Sequence, residues 1–285
     1  MLATESTHIH NAAPFLKWAG GKSQLLKQYQ PHIPPRERFG RYFEPFIGSA
    51  AVFFHLQPPQ ACLGDINESL VEVYQVVRQD VENLIIALKK HRNEKTYYYR
   101  VRNQNPDKLS QVERAARLIF LNKTCYNGLY RENSTGEFNV PFGRYKNPTI
   151  CDEDRLRTAA CALQNVNLRV ADFQEAVEPA QAGDFIYFDP PYVPLNATSS
   201  FTSYNKFGFD YDDQLRLAET FRKLDQRGCY VMLSNSSTEI VSELYKGYKH
   251  YNIKARRSIN SKADGRGPIT ELLITNGDWR DKLGN

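Results

Sequence analysis

The feature that most constrains this chain is a repeated pairing of a short apolar run with a helical pattern, each run closed by an acidic residue or a tight turn. Residues 41–46 run into Ile47-Gly48-Ser49, residues 61–64 into Asp65, and residues 185–188 into Asp189; residues 229–233, before Ser234-Asn235-Ser236, are of the same kind. Short β-branched or aromatic runs bounded by turn signals read as buried strands of a parallel sheet. Helical spacing fills the intervals at 50–56, 68–78, 81–91, 112–121, 153–163, 211–227 and 238–245. Strand followed by helix, repeated, predicts an open α/β sheet with helices on both faces. Ligands of such sheets sit beyond the carboxyl ends of the strands. Asp65, Asp172 and Asp189 each follow an apolar run, so all three are expected at one crevice.

The middle of the chain breaks this rhythm. From about residue 95 to 148 it is polar, Tyr-rich and basic, and it reads as an inserted, largely helical module outside the sheet. Net charge is only +5, but residues 114–148 carry six bases against two acids, and residues 254–268 five bases against Asp264. Such patches, rich in Gly, Asn and Tyr, suit a phosphate-facing surface. The five cysteines are scattered with no CxxC pair, which argues against a disulfide framework and against structural zinc, and no metal is expected. The unpaired cysteines fit a reducing, cytoplasmic setting, and residues 1–11, which lack the basic start and apolar stretch of a signal peptide, read as a disordered lead-in.

Asp189-Pro190-Pro191-Tyr192 carries the most specific chemistry. Two prolines after a strand fix an extended turn and remove two backbone donors. A carboxylate, carbonyl oxygens and an aromatic face remain, which together suit a planar ligand bearing an exocyclic NH₂. The amine of adenine is a poor nucleophile because its lone pair is delocalised into the ring. Hydrogen bonds donated by the amine to Asp189 and the Pro190 carbonyl would draw the nitrogen toward tetrahedral geometry and aim the lone pair at a sulfonium methyl, which is catalysis by positioning.

Other strings add parts. Phe15-Leu16-Lys17-Trp18-Ala19-Gly20-Gly21-Lys22 lacks the spacing of a triphosphate loop but suits a zwitterionic cofactor, offering close backbone approach, an apolar wall and a cation. Asp65 stands where an acidic residue binds ribose hydroxyls, with Asn67 free to cap the helix that follows. In the insert, Asn122–Arg131 and Gly136–Tyr145 hold the arginines, apolar residues and wedging aromatics of duplex readout.

FLKWAGGK, YFEPFIGSAAVFF, GDIN at 64–67, YNGLYR, FNVPFGRYKNP, YFDPPY and YVMLSNSS, in that order from about residue 15 to 276, resemble the Dam-type (class α) DNA adenine methyltransferases, most nearly the DpnM-like members associated with GATC. The resemblance implies the class I S-adenosylmethionine-dependent fold: a mixed, mostly parallel seven-stranded sheet with helices on both faces. It also implies a catalytic and cofactor-binding domain at 12–94 and 149–280 and a target-recognition insert at 95–148. Trp18, Lys22, Phe46, Asp65, Asp172, Phe173 and Asp189 match cofactor positions, and Asp189, Pro190, Pro191 and Tyr192 the catalytic ones, with Tyr192 stacking on the flipped base. Lys17, Leu129, Arg131 and Pro141 match positions that read GATC, and Tyr126 and Asn127 those that enter the duplex beside the orphaned thymine; Arg144 and Tyr145 fall in the same hairpin. One departure stands out: where the family often has FxGxG, this chain has Phe46-Ile47-Gly48-Ser49-Ala50.

The expected activity is therefore methylation of adenine N6 in double-stranded GATC by base flipping, because N6 inside a duplex cannot reach a buried sulfonium. The expected partners are duplex DNA and a cognate restriction endonuclease, with no membrane. The chain is expected to act as a monomer, a dimer being the alternative. The rival readings are a methyltransferase of cytosine N4, RNA adenine or a protein glutamine, and a non-catalytic DNA-binding regulator.

Overall fold

The computed structural model describes residues 12–133, 136–194, 209–256 and 268–279. The lead-in at 1–11 and most of the basic stretch 254–268 lie outside the described residues. Ten helices are α1 (Leu26–Tyr29), α2 (Ala51–Leu56), α3 (Glu68–Gln79), α4 (Val81–Leu88), α5 (Lys95–Arg102), α6 (Gln111–Thr124), α7 (Glu153–Ala162), α8 (Phe173–Val177), α9 (Tyr211–Gln226) and α10 (Glu239–Leu244) among the described residues. The strands are β1 (Tyr42–Glu44), β2 (Ala61–Asp65), β3 (Val166–Val170), β4 (Phe185–Phe188), β5 (Tyr230–Ser236), β6 (Lys249–Arg256) and β7 (Pro268–Thr275). None of the described helices is long and apolar enough to cross a membrane.

The seven strands form one mixed sheet in the order β3-β2-β1-β4-β5-β7-β6, the α/β architecture of class I methyltransferases. β1 runs parallel to β2 and β4, and β4 parallel to β5, whereas β7 is antiparallel to both β5 and β6. β4 is the fully buried Phe-Ile-Tyr-Phe run at the centre. The carboxyl ends of β1, β2, β4 and β5 consequently share one edge, where Phe46, Asp65, Asp189 and Ser236 emerge. β6, the outer strand, is closed by a side chain: Gln28 accepts from the Lys254 N–H at 3.0 Å and donates to the Lys254 carbonyl at 2.9 Å. This satisfies groups that an open edge would offer to another chain.

The chain divides into two compact units. One comprises residues 22–47, 58–66 and 167–285 and contains nearly the whole sheet. Its core packs Phe173 and Val177 of α8, Leu217, Phe221 and Leu224 of α9, and Val241 of α10 with Phe43, Ile186, Phe188, Val231, Leu233, Leu272 and Ile274 of the strands. The other comprises residues 1–21, 48–57 and 67–166 and is helical, with α3, α4 and α5 each packed on α6. Asn67 caps α3 by accepting from the Leu70 N–H, as its position before the helix predicts. A reciprocal capping box of Ser110 and Glu113 starts α6.

Candidate active site and nucleic-acid interface

In the sheet unit, the strand register brings the Asp-Pro-Pro-Tyr turn against β5. Phe188 lies opposite Leu233, so the next residues, Asp189 and Ser234, meet. The Ser234 hydroxyl donates to Asp189 Oδ1 at 2.8 Å, and the buried Lys22 ammonium reaches the same oxygen at 2.8 Å. With its proton committed to Asp189, Ser234 must accept from the Tyr187 hydroxyl, 2.9 Å away. Burial first, then the Asp189 charge, hold the Tyr187 phenol well above its ordinary pKa and keep it a donor. Both bonds to the aspartate fall on Oδ1, which leaves Oδ2 as the acceptor for a ligand.

The two prolines are stapled from behind. Gln214 donates to the Pro191 carbonyl at 3.0 Å, and Asn235 donates to Gln214 at 3.2 Å while accepting from the Val193 N–H at 3.1 Å. Gln214 and Asn235 are buried, so their hydrogen bonds carry a large penalty if lost. The Pro191 carbonyl is thus consumed, and Pro190 supplies the carbonyl that can face a ligand. Tyr192 is fixed at its hydroxyl, which donates to Glu271 of β7 at 2.8 Å, and Lys22 lies 4.8 Å from its ring centre.

Beside this turn the same unit builds an apolar shelf. Phe46 and Phe173 stand 5.6 Å apart and nearly parallel at 24°, with Phe209 edge-on to Phe46 at 5.7 Å. The two rings are too close to admit a third between them, so they present one aromatic wall. The Ile47 N–H binds the Gly64 carbonyl at 3.0 Å, and the Ala171 N–H binds the Asp65 carbonyl at 3.2 Å, which ties three strand ends together. Asp65 is the last residue of β2, and Ile66 after it is 79% exposed although apolar. The Asp172 carboxylate is committed: it caps α8 through the Gln174 N–H at 3.0 Å and pairs with Arg216 at 2.9 Å. What residues 172–173 offer a ligand is therefore backbone and ring more than charge. Carboxylate, exposed isoleucine and aromatic wall at one sheet edge fit the ribose and base of a nucleoside.

The helical unit joins the FLKWAGGK and YNGLYR strings. Buried Asn122 accepts from the Lys17 N–H at 2.8 Å and donates to the Lys17 and Gly128 carbonyls, engaging both its donors and its oxygen. Trp18 stacks on Tyr130 with centroids 5.3 Å apart, and the Lys17 ammonium sits 3.8 Å over the Tyr145 ring. Burial holds the Lys17 ammonium below its usual pKa. Lys123 is pushed to about 8 by burial, reinforced by Arg155 and Lys17.

Residues 125–142 fold back as a narrow hairpin, bridged at Cys125–Phe142 and Glu132–Phe138. The Tyr126 N–H binds the Pro141 carbonyl at 2.8 Å, which ties the two arms together at the base. Asn127 and Gly128 follow in left-handed conformation, at φ +56° and +63°. That sharp turn leaves Tyr126 46% exposed. Exposed Arg131 donates through Nε to Asn139 Oδ1 at 2.6 Å, so its guanidinium is held and aimed. The Leu129 side chain packs against the small core around Tyr98, Phe120 and Val140, while Pro141 and Arg144 are exposed.

Each unit thus gathers its own set. Lys22, Asp189 and Tyr192 come together in the sheet unit, as do Phe46 and Phe173; Lys17, Tyr145 and Asn127–Gly128 adjoin in the helical unit. Sequence reasoning did not single out Ser234, Tyr187, Gln214, Asn235, Glu271, Ile66, Asn122 or Tyr130. A polar Ser-Asn-Ser closing the apolar Tyr-Val-Met-Leu run signals Ser234 and Asn235, and a lone glutamate inside Ile-Thr-Glu-Leu-Leu-Ile signals Glu271.

Comparison with known proteins settles the class. The family described as D12 class N6 adenine-specific DNA methyltransferase matches residues 18–259. The chain belongs to this family. It is 46% identical over 274 residues to the Type II methyltransferase M1.LlaDCHI of Lactococcus lactis subsp. cremoris, covering 93% of this chain and 96% of the relative. It is 48% identical over 284 residues to the Type II methyltransferase M.MjaIII of Methanocaldococcus jannaschii, covering 92% and 98%. The DNA adenine methylase of Escherichia coli K12 is 36% identical over 263 residues, covering 91% and 93%. The D12 match begins at Trp18 and takes in the hairpin, the aromatic wall and the Asp-Pro-Pro-Tyr turn.

Proposed function

We propose that this D12 methyltransferase transfers the methyl group of S-adenosylmethionine to N6 of an adenine flipped out of double-stranded GATC. The observation that carries this reading is the Asp189 carboxylate, pinned through Oδ1 by Lys22 and Ser234 with Oδ2 left to accept. The amine of adenine has two hydrogens, one for Asp189 Oδ2 and one for the Pro190 carbonyl. Accepting both draws the nitrogen out of conjugation and directs its lone pair. The amine becomes acidic only as its new bond forms, so Asp189 aligns the nucleophile and need not take its proton in advance. Tyr192 supplies a ring for the base to stack on. The sulfonium cofactor supplies an activated methyl group; Asp65, Ile66, Phe46, Phe173 and Lys22 of the sheet unit are its proposed contacts.

Tyr126 and Asn127, on an exposed left-handed turn, are proposed to fill the gap left by the flipped base, which offsets part of the few kcal/mol of unpairing. Lys17, Leu129, Arg131 and Pro141 are proposed to read the site, with Arg144 and Tyr145 on the backbone. Residues 95–148 are the proposed target-recognition insert of a catalytic and cofactor-binding domain made of 12–94 and 149–280. Two relatives are named Type II methyltransferases, which favours a modification role beside a restriction endonuclease.

The test is incubation of the protein with labelled S-adenosylmethionine and duplexes containing GATC or a permuted site, followed by mass spectrometry of the nucleosides. N6-methyladenine is expected from the GATC duplex alone. Methylated cytosine, or equal labelling of both duplexes, would overturn the reading. Asp189→Ala is expected to abolish turnover while duplex binding, read by fluorescence anisotropy, stays within about threefold of the parent, since phosphate contacts dominate affinity.

A further inference from the structure

The hydroxyl of Tyr192 is anchored to a strand that the sequence motifs do not touch. β7 enters the sheet antiparallel, pairing Ser236 of β5 with Glu271. Glu271 interrupts an apolar strand and is half-buried, a costly place for a carboxylate unless it is bonded. Its bond is the one from Tyr192 Oη at 2.8 Å. Burial raises the carboxyl above its usual range, and the Lys22 charge and the Tyr192 hydroxyl oppose that rise. Lys22 also lies 4.8 Å from the Tyr192 ring centre and 2.8 Å from Asp189 Oδ1. The ring is therefore held at its hydroxyl by β7 and approached by a buried cation.

We propose that Glu271 is a positioning residue of the methyl-transfer site: through its hydrogen bond it fixes the plane of Tyr192, so that a flipped adenine stacks with its amine at Asp189. This inference rests on the function proposed above. A tyrosine ring turns freely about its side-chain bonds unless something holds it. An error of about 1 Å in the placement of the amine is enough to cost roughly 10²-fold in rate. The bond specifies an acceptor at position 271 but no charge, so glutamine can replace glutamate there and alanine cannot.

The experiment compares the parent, E271A, E271Q, Y192F and the double variant E271A/Y192F on GATC duplexes. Single-turnover formation of N6-methyladenine is measured together with duplex affinity. Fluorescence of 2-aminopurine placed at the target adenine is also recorded. E271A and Y192F are each expected to lower the single-turnover rate by ~10–100-fold, with affinity within about threefold because phosphate contacts set it. The double variant should be no slower than the slower single one, as expected of two groups joined in one bond. E271Q should restore most of the rate lost in E271A. The 2-aminopurine signal should be higher in E271A than in the parent, because an unfixed ring stacks on the base less completely. Parental rates in Y192F, additive losses in the double variant, or an E271Q as slow as E271A would each overturn the proposal. Y192F removes a single oxygen and so remains decisive if E271A fails to fold. Absence of N6-methyladenine with the parent protein would overturn the functional reading and the positioning role with it; normal parental turnover matched by E271A overturns the positioning role alone.

Discussion

Gly48 and Ala50 stand two residues apart in the same left-handed region, at φ +43° and +52°, yet a methyl group means different things at the two positions. A side chain in this conformation costs ~1–2 kcal/mol. Ala50 already bears that cost as the residue before α2, at the place where the family often has glycine. Its methyl is buried, and burying a methyl group contributes about 0.8 kcal/mol. The two effects nearly cancel, so Ala50→Gly is expected to stay within about 1 kcal/mol of the parent in urea unfolding. Gly48 has no such balance. A Cβ there would lie 2.9 Å from Trp18 Cδ1, and its carbonyl is held by the Tyr74 hydroxyl at 2.9 Å. Gly48→Ala is expected to displace the indole from its stack on Tyr130, lower stability by ~1–2 kcal/mol and weaken cofactor binding. The chain has two tryptophans, so the shift in Trp18 emission can be isolated in a Trp279→Phe background. Unchanged emission in Gly48→Ala would show that the close approach is not a constraint.

Elements were legible where their hydrophobic pattern was one-sided or continuous. β4 is a run of four buried apolar residues, and α3 and α9 start at side-chain caps, so all three announce themselves. β6, Lys-His-Tyr-Asn-Ile-Lys-Ala-Arg, has no apolar run to mark it as a strand, and β3, Val-Asn-Leu-Arg-Val, is signalled only by the run before Asp172; both are end strands of the sheet and carry polar residues. A strand there buries less of itself and needs no apolar run. The sequence predicts a largely helical insert, yet it also carries the bridged hairpin, whose pairing depends on backbone bonds more than on side-chain periodicity. One inter-helix contact leads to a pH prediction. His91, just after α4, stacks on Phe120 of α6 with centroids 4.5 Å apart, and burial lowers its pKa to about 4. Its ring nitrogen Nδ1 lies 2.9 Å from the Tyr97 hydroxyl of α5. The folded protein keeps this imidazole neutral while the unfolded chain protonates it near 6.5, so the unfolded state binds more protons between those values. Stability should therefore fall as pH drops from 6.5 toward 4, by about 1–2 kcal/mol from this group once partial exposure is discounted. His91→Phe should remove that portion of the acid slope. Parallel stability curves for parent and variant between pH 4 and 7 would count against a buried neutral ring.

Across the molecule, the parts of the site that lie in one short string were legible and the partnerships were not. Asp-Pro-Pro-Tyr, FLKWAGGK and YNGLYR each name their chemistry locally. Lys22 against Asp189, Ser234 against Asp189, Glu271 against Tyr192 and Asn122 against Lys17 join residues that only the fold makes neighbours. Charge behaves the same way: a net +5 over the chain says little, whereas exposed Arg131 on the hairpin and exposed Arg144 just past its end belong to one short stretch. Those two arginines provide a contrast on which the whole interface can be tested. Arg131 is braced by Asn139, whose Oδ1 accepts from Nε at 2.6 Å and whose backbone carbonyl accepts from Nη2 at 3.5 Å; Nη1 and the second Nη2 hydrogen then face outward as a pair suited to a guanine edge. Arg144 lies beyond the Gly143 turn, where the Gly143 N–H binds the Thr124 carbonyl at 2.8 Å, and it suits a phosphate. Arg131→Ala should cost about 1–3 kcal/mol of discrimination at one base pair of the site, read as methylation of duplexes altered at that pair. Arg144→Ala should instead weaken binding by a similar factor on every duplex and reduce the slope of log K against log salt by about 1. Exchange of these two signatures would reverse the assignment of the arginines, and a salt slope unchanged in both variants would remove the hairpin from the DNA interface.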